Sequence, residues 1–272
     1  MRPEGDSIAG RAAGFTLAEM AIVLLVVGLL LSSVLTTVST QLDARNLRDM
    51  QTQMDQIKDA LIGYAQTNGR LPCPADGTLA TGATNAGLEQ LKTVSPYDCS
   101  NANGFGVLPW ATLGVAETDV WGNRFGYKVS SVFSDAVTTT ATFGCSPTPT
   151  PTVSSFALCS QGTLTVTTRT TANKVPGTPV SYIPVVIISY GKNGYGAYTS
   201  GGTQITAPPA ANVDETANAT ATSTTFYSRE QSPQASPCSD TAAGNFCEFD
   251  DLIGYIPVNL LITRMISAGK LP

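Results

Sequence analysis

A run of 24 residues near the start of the chain, from Phe15 to Val38, carries a single charge, that of Glu19. As an α-helix this run would be about 36 Å long, against roughly 30 Å for the hydrocarbon core of a membrane. We therefore predict a transmembrane helix over residues 15–38, in which Glu19 is a costly charge that needs a partner. A cleaved secretory signal peptide is the alternative, because the most apolar part, residues 20–31, has only the length of a signal's hydrophobic core.

The helical pattern continues past residue 38 as an amphipathic segment. Apolar residues recur at steps of three and four, which places them on one helix face: Leu47, Met50, Met54, Ile57, Leu61 and Tyr64. Asn68-Gly69, with Pro72 shortly after, is typical of a helix C-terminus. We predict one continuous helix with an amphipathic half over residues 39–68, and this continuity argues against a cleaved signal peptide.

The composition of the chain narrows the classes of function. Of its 272 residues 13% are charged, the formal net charge is −5, and histidine does not occur. Because there is no cluster of Lys and Arg to attract phosphates, we expect no nucleic-acid partner. Because histidine is missing and no nucleophile stands beside a paired base, we expect no enzymatic activity.

The six cysteines all follow the apolar run: Cys73, Cys99, Cys145, Cys159, Cys238 and Cys247. An even number on one side of a membrane segment indicates disulfides formed in an oxidising compartment. Fifteen pairings exist in principle, but short loops close most easily, which favours Cys73–Cys99, Cys145–Cys159 and Cys238–Cys247. Buried free thiols in a cytosolic protein are the alternative.

The rest of the chain, residues 69–272, is predicted to form a globular domain of strands and loops. We expect a strand in which Phe125, Tyr127 and Val129 face the helix stripe, and another over residues 180–190. The Thr-, Ser- and Pro-rich residues 138–179 are typical of an exposed insertion, here with a short hairpin across Cys159. A short C-terminal helix is expected over residues 258–268.

The segment Gly14-Phe15-Thr16-Leu17-Ala18-Glu19 resembles the processing site of prepilins, the precursors of type IV pilins and of type II secretion pseudopilins. The resemblance implies that prepilin peptidase cuts between Gly14 and Phe15, removes the leader peptide 1–14, and methylates the amino group of Phe15. It makes Thr16 and Glu19 the assembly residues, with the Glu19 carboxylate pairing with the amino terminus of a neighbouring subunit. A chance acid in a signal anchor is the alternative.

Three later segments resemble, in the same order, the G-type pseudopilins: Asp-x-Trp-Gly-Asn at 119–123, Ser-Tyr-Gly-x-Asn-Gly at 189–194 and Asp-Asp-Leu-Ile at 250–253. With the helix and the cysteines, this resemblance implies an α+β fold. The expected architecture is a long N-terminal α-helix, half transmembrane and half amphipathic, packed on a small antiparallel β-sheet with disulfide-bonded loop insertions.

The same resemblance implies a calcium ion between the second and third of these segments. Ca²⁺ takes oxygen ligands, and the expected ones come from Glu248, Asp250, Asp251 and Asn193. Asn193 stands where the relatives usually carry an aspartate. The alternative is that Asp250 and Asp251 cap turns and the final helix.

The sequence therefore predicts a prepilin-like structural subunit that assembles through its N-terminal helix into a type IV pilus or a secretion pseudopilus. The large globular domain, and the absence of a proline near Thr36, favour a minor or tip subunit. We expect a single-pass protein of the bacterial inner membrane, with its globular domain in the periplasm, that later enters the filament. Its expected partners are other pilin or pseudopilin subunits, prepilin peptidase and the inner-membrane assembly platform. Two alternatives remain: a pilus-borne adhesin that binds through residues 138–240, and a signal-anchored periplasmic protein that never assembles.

Overall fold

The structure is a computed structural model that describes residues 16–92, 98–101, 104–136, 145, 153–169, 174 and 176–271, without the side chains of residues 30–40. The chain divides into two units, Met1–Arg48 and Asp49–Pro272. The helices are α1 (Leu17–Asn68), α2 (Trp110–Leu113), α3 (Ser131–Ser134), α4 (Val213–Ala219) and α5 (Val258–Ser267). The strands are β1 (Phe105–Val107), β2 (Gly126–Val129), β3 (Leu164–Thr167), β4 (Val180–Ile183), β5 (Val185–Ser189), β6 (Thr225–Tyr227) and β7 (Leu252–Ile256).

Helix α1 begins with a reciprocal cap between Thr16 and Glu19. The Thr16 backbone N–H donates to Glu19 Oε2 at 2.8 Å, and the Glu19 backbone N–H donates to Thr16 Oγ1 at 3.2 Å. This is the capping-box pattern, which satisfies backbone donors at a helix start. Gly14 and Phe15 lie outside the described residues, so their predicted processing stays a prediction.

Within the described residues, no helix combines enough length and enough apolar character to cross a membrane. On this finding the predicted transmembrane half, residues 15–38, is wrong, and so is the predicted single-pass location in the bacterial inner membrane.

The second part of α1 supplies one wall of the core of the unit Asp49–Pro272. Met50, Met54, Ile57 and Leu61 are at most 5% exposed, which confirms these four residues of the predicted apolar stripe, whereas Leu47 and Tyr64 are partly exposed. The helix ends at Asn68 as predicted. Gly69 follows with a φ of +74° and donates its N–H to the Ala65 carbonyl at 2.8 Å, the left-handed cap that glycine favours.

The main sheet is antiparallel, with the strand order β1-β2-β5-β7. From β2 and the residue before it, Phe125, Tyr127 and Val129 join the α1 stripe in one core, as predicted. Strand β5 is buried on both faces, since Val185 and Ile187 lie in that core and Val186 and Ile188 lie in a second one. A strand covered on both faces needs a continuous apolar run, which β5 has.

A second sheet, of order β4-β3-β6, covers the other face, and it was not predicted. Strand β3 pairs antiparallel with β4 but parallel with β6, so the expected single, small antiparallel sheet is wrong although the α+β class holds. Leu164 and Val166 of β3 are buried, within residues 138–179 that were expected to form an exposed insertion. Because β3 pairs with β4 and β6, the predicted hairpin across Cys159 does not form.

The predicted strand over residues 180–190 is divided at Pro184. Residues before it form β4 in the second sheet, and residues after it form β5 in the main sheet. Proline has no N–H to donate to a strand neighbour, and its ring restricts the preceding residue, so a strand pair is readily interrupted there. The single apolar run in the sequence thus connects two sheets.

The loop that precedes β2 is held by the buried guanidinium of Arg124. Its Nε and Nη2 donate to Glu117 Oε1 at 2.9 and 2.7 Å, and its Nη1 donates to the carbonyls of Gly77 and Leu79 at 2.9 and 2.7 Å. Nη2 also donates to the Ser200 carbonyl at 3.0 Å. One side chain therefore joins three loops, directly after the segment 119–123.

Candidate metal centre

The segments 119–123 and 189–194, which are distant in sequence, lie in contact. Asp119 Oδ1 accepts hydrogen bonds from the backbone N–H groups of Trp121 and Asn123, and Asp119 Oδ2 accepts one from the Ser189 hydroxyl at 2.7 Å. The Asn123 side chain donates to the Gly191 carbonyl at 3.1 Å. These bonds place the turn after β5 at a fixed position on the main sheet.

That turn is in contact with the third segment, at Asp250. The Asn193 backbone N–H donates to Asp250 Oδ2 at 2.9 Å. Gly191 has a φ of +59°, and a Cβ atom there would stand 2.4 Å from Asp250 Cγ. Only glycine combines this backbone conformation with so close an approach. All three segments of the resemblance therefore meet at one place.

Helix α4 adds an acid that the sequence interpretation missed, Glu215. It is 1% exposed. Its Oε1 accepts from the Asp250 backbone N–H at 3.1 Å and from Asn193 Nδ2 at 3.2 Å, and its Oε2 accepts from Asn212 Nδ2 at 2.6 Å. The signal that was available is Asn212-Val-Asp-Glu215, an N-cap residue with an acid three positions later, which marks a helix start.

Two carboxylate oxygens at this place are buried and have no hydrogen-bond partner among the described residues, Asp250 Oδ1 and Asp251 Oδ1. Asp251 is 5% exposed, and its other oxygen accepts from Asn218 Nδ2 at 2.8 Å. One carboxylate oxygen each of Glu215, Asp250 and Asp251 lies within 4.8 Å of the others. We call these three residues the acidic cluster.

The acidic cluster holds its protons more tightly than isolated acids do. Burial raises the pKa of Glu215 to about 7, and the charges of Asp250 and Glu248 add to the shift. Burial also raises the pKa of Asp250, and it raises the pKa of Asp251 well above its usual range, helped there by the charge of Glu215. Buried carboxylates at this spacing are costly unless a cation neutralises them.

The donor set of the acidic cluster fits a hard cation. All the ligand atoms on offer are carboxylate oxygens, two of them without a hydrogen-bond donor, and oxygen is what Ca²⁺ takes. Three carboxylates also supply enough negative charge to balance a divalent ion. A cation held by all three carboxylates would join α4 to the segment that leads into β7.

The four predicted ligands have different places in the structure. Asp250 and Asp251 belong to the acidic cluster. Asn193 lies beside it, but its side-chain N–H donates to Glu215 and its Oδ1 accepts from the Tyr195 N–H at 3.0 Å. Glu248 is outside the group of three, and its backbone carbonyl accepts from Asn212 Nδ2 at 2.7 Å.

The cysteines form three disulfides, Cys73–Cys99, Cys145–Cys159 and Cys238–Cys247. This pairing is the one that sequence proximity predicts. The last of them closes a loop of nine residues just before Glu248, so it constrains the chain that enters the acidic cluster.

The predicted assembly residues lie at the start of α1. The Thr16 hydroxyl donates to Glu19 Oε2 at 2.9 Å, in addition to the capping contacts. Hydrogen bonds from the Thr16 backbone N–H and hydroxyl lower the pKa of Glu19, which is exposed. The carboxylate is therefore ionised at neutral pH and held at the head of the helix.

Comparison of the chain with models of protein families, with curated proteins and with solved structures found no match.

Proposed function

We propose that the chain is a prepilin-like structural subunit, processed between Gly14 and Phe15, that assembles through its N-terminal helix into a filament of the type IV pilus or secretion pseudopilus class. The observation that carries this proposal is the exposed apolar surface of the unit Met1–Arg48. Leu17 is 90% exposed, and the consecutive residues Ile22, Val23, Leu24 and Leu25 are each at least half exposed.

Four consecutive residues of an α-helix point in four directions about 100° apart, so these side chains cover its whole circumference. A helix that packs against one partner needs only an apolar stripe. A helix that is apolar all round needs cover on every side, and exposed apolar surface of this kind marks an interaction site. A bundle of like helices, as in a filament core, meets that need.

Glu19 supports the same proposal through its position. It is the one ionised side chain described between Thr16 and Leu29, and the Thr16 hydrogen bonds hold its carboxylate at the helix start. Processing would create an ammonium group on Phe15. Pairing that ammonium with the Glu19 of a neighbouring subunit neutralises two charges that would otherwise be buried alone among apolar helices.

Two experiments test the proposal: one identifies the first residue of the mature chain, and the other measures cross-linking between subunits. Mass spectrometry of the mature chain is expected to find N-methyl-Phe15 as the first residue, and any other first residue contradicts the processing step. Glu19→Val is expected to abolish cross-linking between subunits. Asp43→Val, which removes an exposed acid from the same helix, is the matched control and is expected to leave cross-linking intact. Normal cross-linking by the Glu19→Val chain would contradict the assembly role of Glu19. The non-assembling alternative would be supported if the unaltered chain formed no cross-links and Glu19→Val left its function untouched.

We also propose that the acidic cluster holds one calcium ion, with a structural role. Glu215, Asp250 and Asp251 are the residues that would bind it, and the ion would supply the positive charge that their buried oxygens lack. Calcium is preferred to magnesium because Mg²⁺ demands near-ideal octahedral geometry and keeps its waters, whereas Ca²⁺ accepts irregular sets of oxygens. Calcium is expected to raise the free energy of unfolding of the wild type by more than that of the variant Glu215→Gln.

The adhesin alternative stays a prediction, and the structure limits which deletion can test it. A deletion of residues 140–175 would remove β3, whose Leu164 and Val166 are buried, and would damage the fold. Deletion of residues 146–152 leaves β3 and all six cysteines in place. Lost adhesion with normal assembly would then favour the adhesin.

A further inference from the structure

The eight residues between Cys238 and Cys247 are Ser-Asp-Thr-Ala-Ala-Gly-Asn-Phe, a sequence with one large apolar side chain. Such a segment buries too little apolar surface to offset the conformational entropy that is lost when it becomes ordered. We call residues 238–247 the disulfide loop. Residues 241–245 are exposed, whereas Asp240 and Cys247 are at most 1% exposed. The order of this loop therefore depends on its disulfide.

Asp240 connects the disulfide loop to the first turn of α4. Its Oδ1 accepts from the Cys247 backbone N–H at 3.2 Å and from Arg229 Nη2 at 3.1 Å. Its Oδ2 accepts from the Asp214 backbone N–H at 3.2 Å. Asp214 directly precedes Glu215, a residue of the acidic cluster. A buried carboxylate with donors on both of its oxygens fixes the loop and the helix start relative to each other.

The chain that leaves the disulfide loop enters the acidic cluster at Asp250, three positions after Cys247. On the way, the Glu248 carbonyl accepts from Asn212 Nδ2 at 2.7 Å, and the same nitrogen donates to Glu215 Oε2 at 2.6 Å. The Asp250 backbone N–H donates to the other oxygen of Glu215 at 3.1 Å. The disulfide loop is therefore connected to Glu215 from two sides, through α4 and through the chain that follows the loop.

Like charges at the acidic cluster work against the ordered arrangement when no cation is bound. One oxygen each of its three carboxylates lies within 4.8 Å of the others, so the carboxylates repel one another when they are ionised. With the disulfide intact, the loop holds residues 248–251 in place against this repulsion. After reduction, this segment can move away from Glu215 and relieve the repulsion. Calcium then has to order the segment again, and that cost lowers its affinity.

We propose that the Cys238–Cys247 disulfide controls calcium binding at the acidic cluster: the oxidised chain binds calcium, and reduction of this disulfide releases it. The proposal rests on the calcium site proposed above and goes beyond it, because calcium loading then follows thiol oxidation. The chemistry is a two-electron thiol–disulfide exchange, in which a dithiol reduces the bond to two cysteine thiols and itself becomes a disulfide. By linkage, calcium that favours the oxidised chain opposes this reduction by the same factor.

Calorimetric titration of the full-length chain with calcium chloride tests this coupling. The double variant Cys238→Ser/Cys247→Ser is expected to bind calcium at least about tenfold more weakly than the wild type, the lower end of what losing an outer contact costs a metal site. Cys145→Ser/Cys159→Ser is the matched control: it opens a longer loop, of 14 residues, at a disulfide outside the acidic cluster, and is expected to keep the wild-type affinity. Equal affinity of the wild type and the first variant overturns the coupling alone, whereas a wild type that binds no calcium overturns the calcium site as well.

A second measurement uses the wild-type chain and does not require that the cysteine variant folds. The chain is equilibrated with mixtures of reduced and oxidised dithiothreitol, in saturating calcium or in chelator, and its free thiols are alkylated and located by mass spectrometry. Calcium is expected to lower the equilibrium constant for reduction of Cys238–Cys247 at least about tenfold, to leave that of Cys145–Cys159 unchanged, and to have no effect on either in Glu215→Gln. The proposal fails if calcium leaves the reduction of Cys238–Cys247 unchanged, or if it shifts both disulfides equally.

Discussion

From the acidic cluster we predict that the free energy of unfolding depends on calcium. When a chelator removes the calcium, we predict that it depends on pH. The pKa of Glu215 rises from 4.5 to about 7 on folding. The folded chain thus holds this proton more tightly than the unfolded chain does. The resulting stabilisation is complete below about pH 4.5 and is lost as the pH rises through about 7.

The size of this effect follows from the two pKa values. The difference between 4.5 and about 7 corresponds to about 3 kcal/mol in the free energy of unfolding. The raised pKa values of Asp250 and Asp251 act in the same direction. Calcium that binds only the folded chain opposes the loss, by about 2.7 kcal/mol at a free concentration 100 times the dissociation constant. For a unit of this size, a stabilisation of about 2.7 kcal/mol by calcium raises the melting temperature by about 5–10 °C.

The assay is urea unfolding of the oxidised chain, followed by the fluorescence of Trp110 and Trp121. In chelator, the free energy of unfolding is expected to fall by about 3 kcal/mol between about pH 5 and about pH 8. Excess calcium is expected to restore it at the higher pH. Glu215→Gln keeps the shape of the side chain without its charge, so it is expected to flatten the pH dependence and to lose most of the calcium effect.

The control for this variant is Asp59→Asn, which removes an exposed acid from α1. It is expected to behave as the wild type in both conditions. Two results would refute the reasoning: stability in chelator that stays constant over this pH range, or equal stabilisation of wild type and Glu215→Gln by calcium. The first would mean that burial of the cluster does not raise the pKa values of its acids, and the second that calcium binds elsewhere.

Three further variants test the framework of the unit Asp49–Pro272, each by urea unfolding. Arg124→Met breaks a buried ion pair that joins three loops, and it is expected to cost about 3–5 kcal/mol because the remaining partner groups stay buried. Gly191→Ala forces an alanine into a left-handed backbone conformation and places its Cβ atom 2.4 Å from Asp250 Cγ. It is expected to lower the free energy of unfolding by about 2–4 kcal/mol and to weaken calcium binding. Replacing Cys73 and Cys99 by alanine opens a loop of 26 residues and is expected to cost about 3.5 kcal/mol through the entropy of the unfolded chain.

Matched variants separate these causes from general damage. Arg264→Met removes an exposed guanidinium and is expected to change stability by less than about 0.5 kcal/mol. Gly269 also has a positive φ, of +68°, but an added Cβ there meets no other atom within 4 Å. Gly269→Ala therefore measures the cost of the left-handed conformation alone, which is about 1–2 kcal/mol. If Gly191→Ala cost no more than Gly269→Ala, the close approach to Asp250 would not matter for stability.

Features with a local cause were predictable from the sequence. The stripe from Met50 to Leu61 and the end of α1 at Asn68 follow from helix periodicity and from the conformational freedom of Gly69. The disulfide pairing follows from the ease of closing short loops. The expectation of a membrane-spanning half came from the length of the apolar run alone, and the described helix does not support it.

Two of the three residues of the acidic cluster were predicted from the sequence. Asp250 and Asp251 are adjacent in sequence and were found from the resemblance. Glu215 is 35 residues away from Asp250 and lies in a polar stretch with no periodicity, so nothing local connected the two. Asn193 was expected to bind the ion directly, but its amide donates to Glu215 instead.

By itself, the sequence determined the elements whose stability is local: the helix stripe, its C-terminal cap, the short disulfide loops and the charged head of the helix at Glu19. The tertiary structure alone decided the division at Pro184 into two sheets, the cover on both faces of β5, and the approach of Glu215 to Asp250 and Asp251. The physical reason is that burial depends on what packs against a residue from elsewhere in the chain. A charge is unremarkable in the sequence, and it becomes a binding group only when distant segments remove it from water.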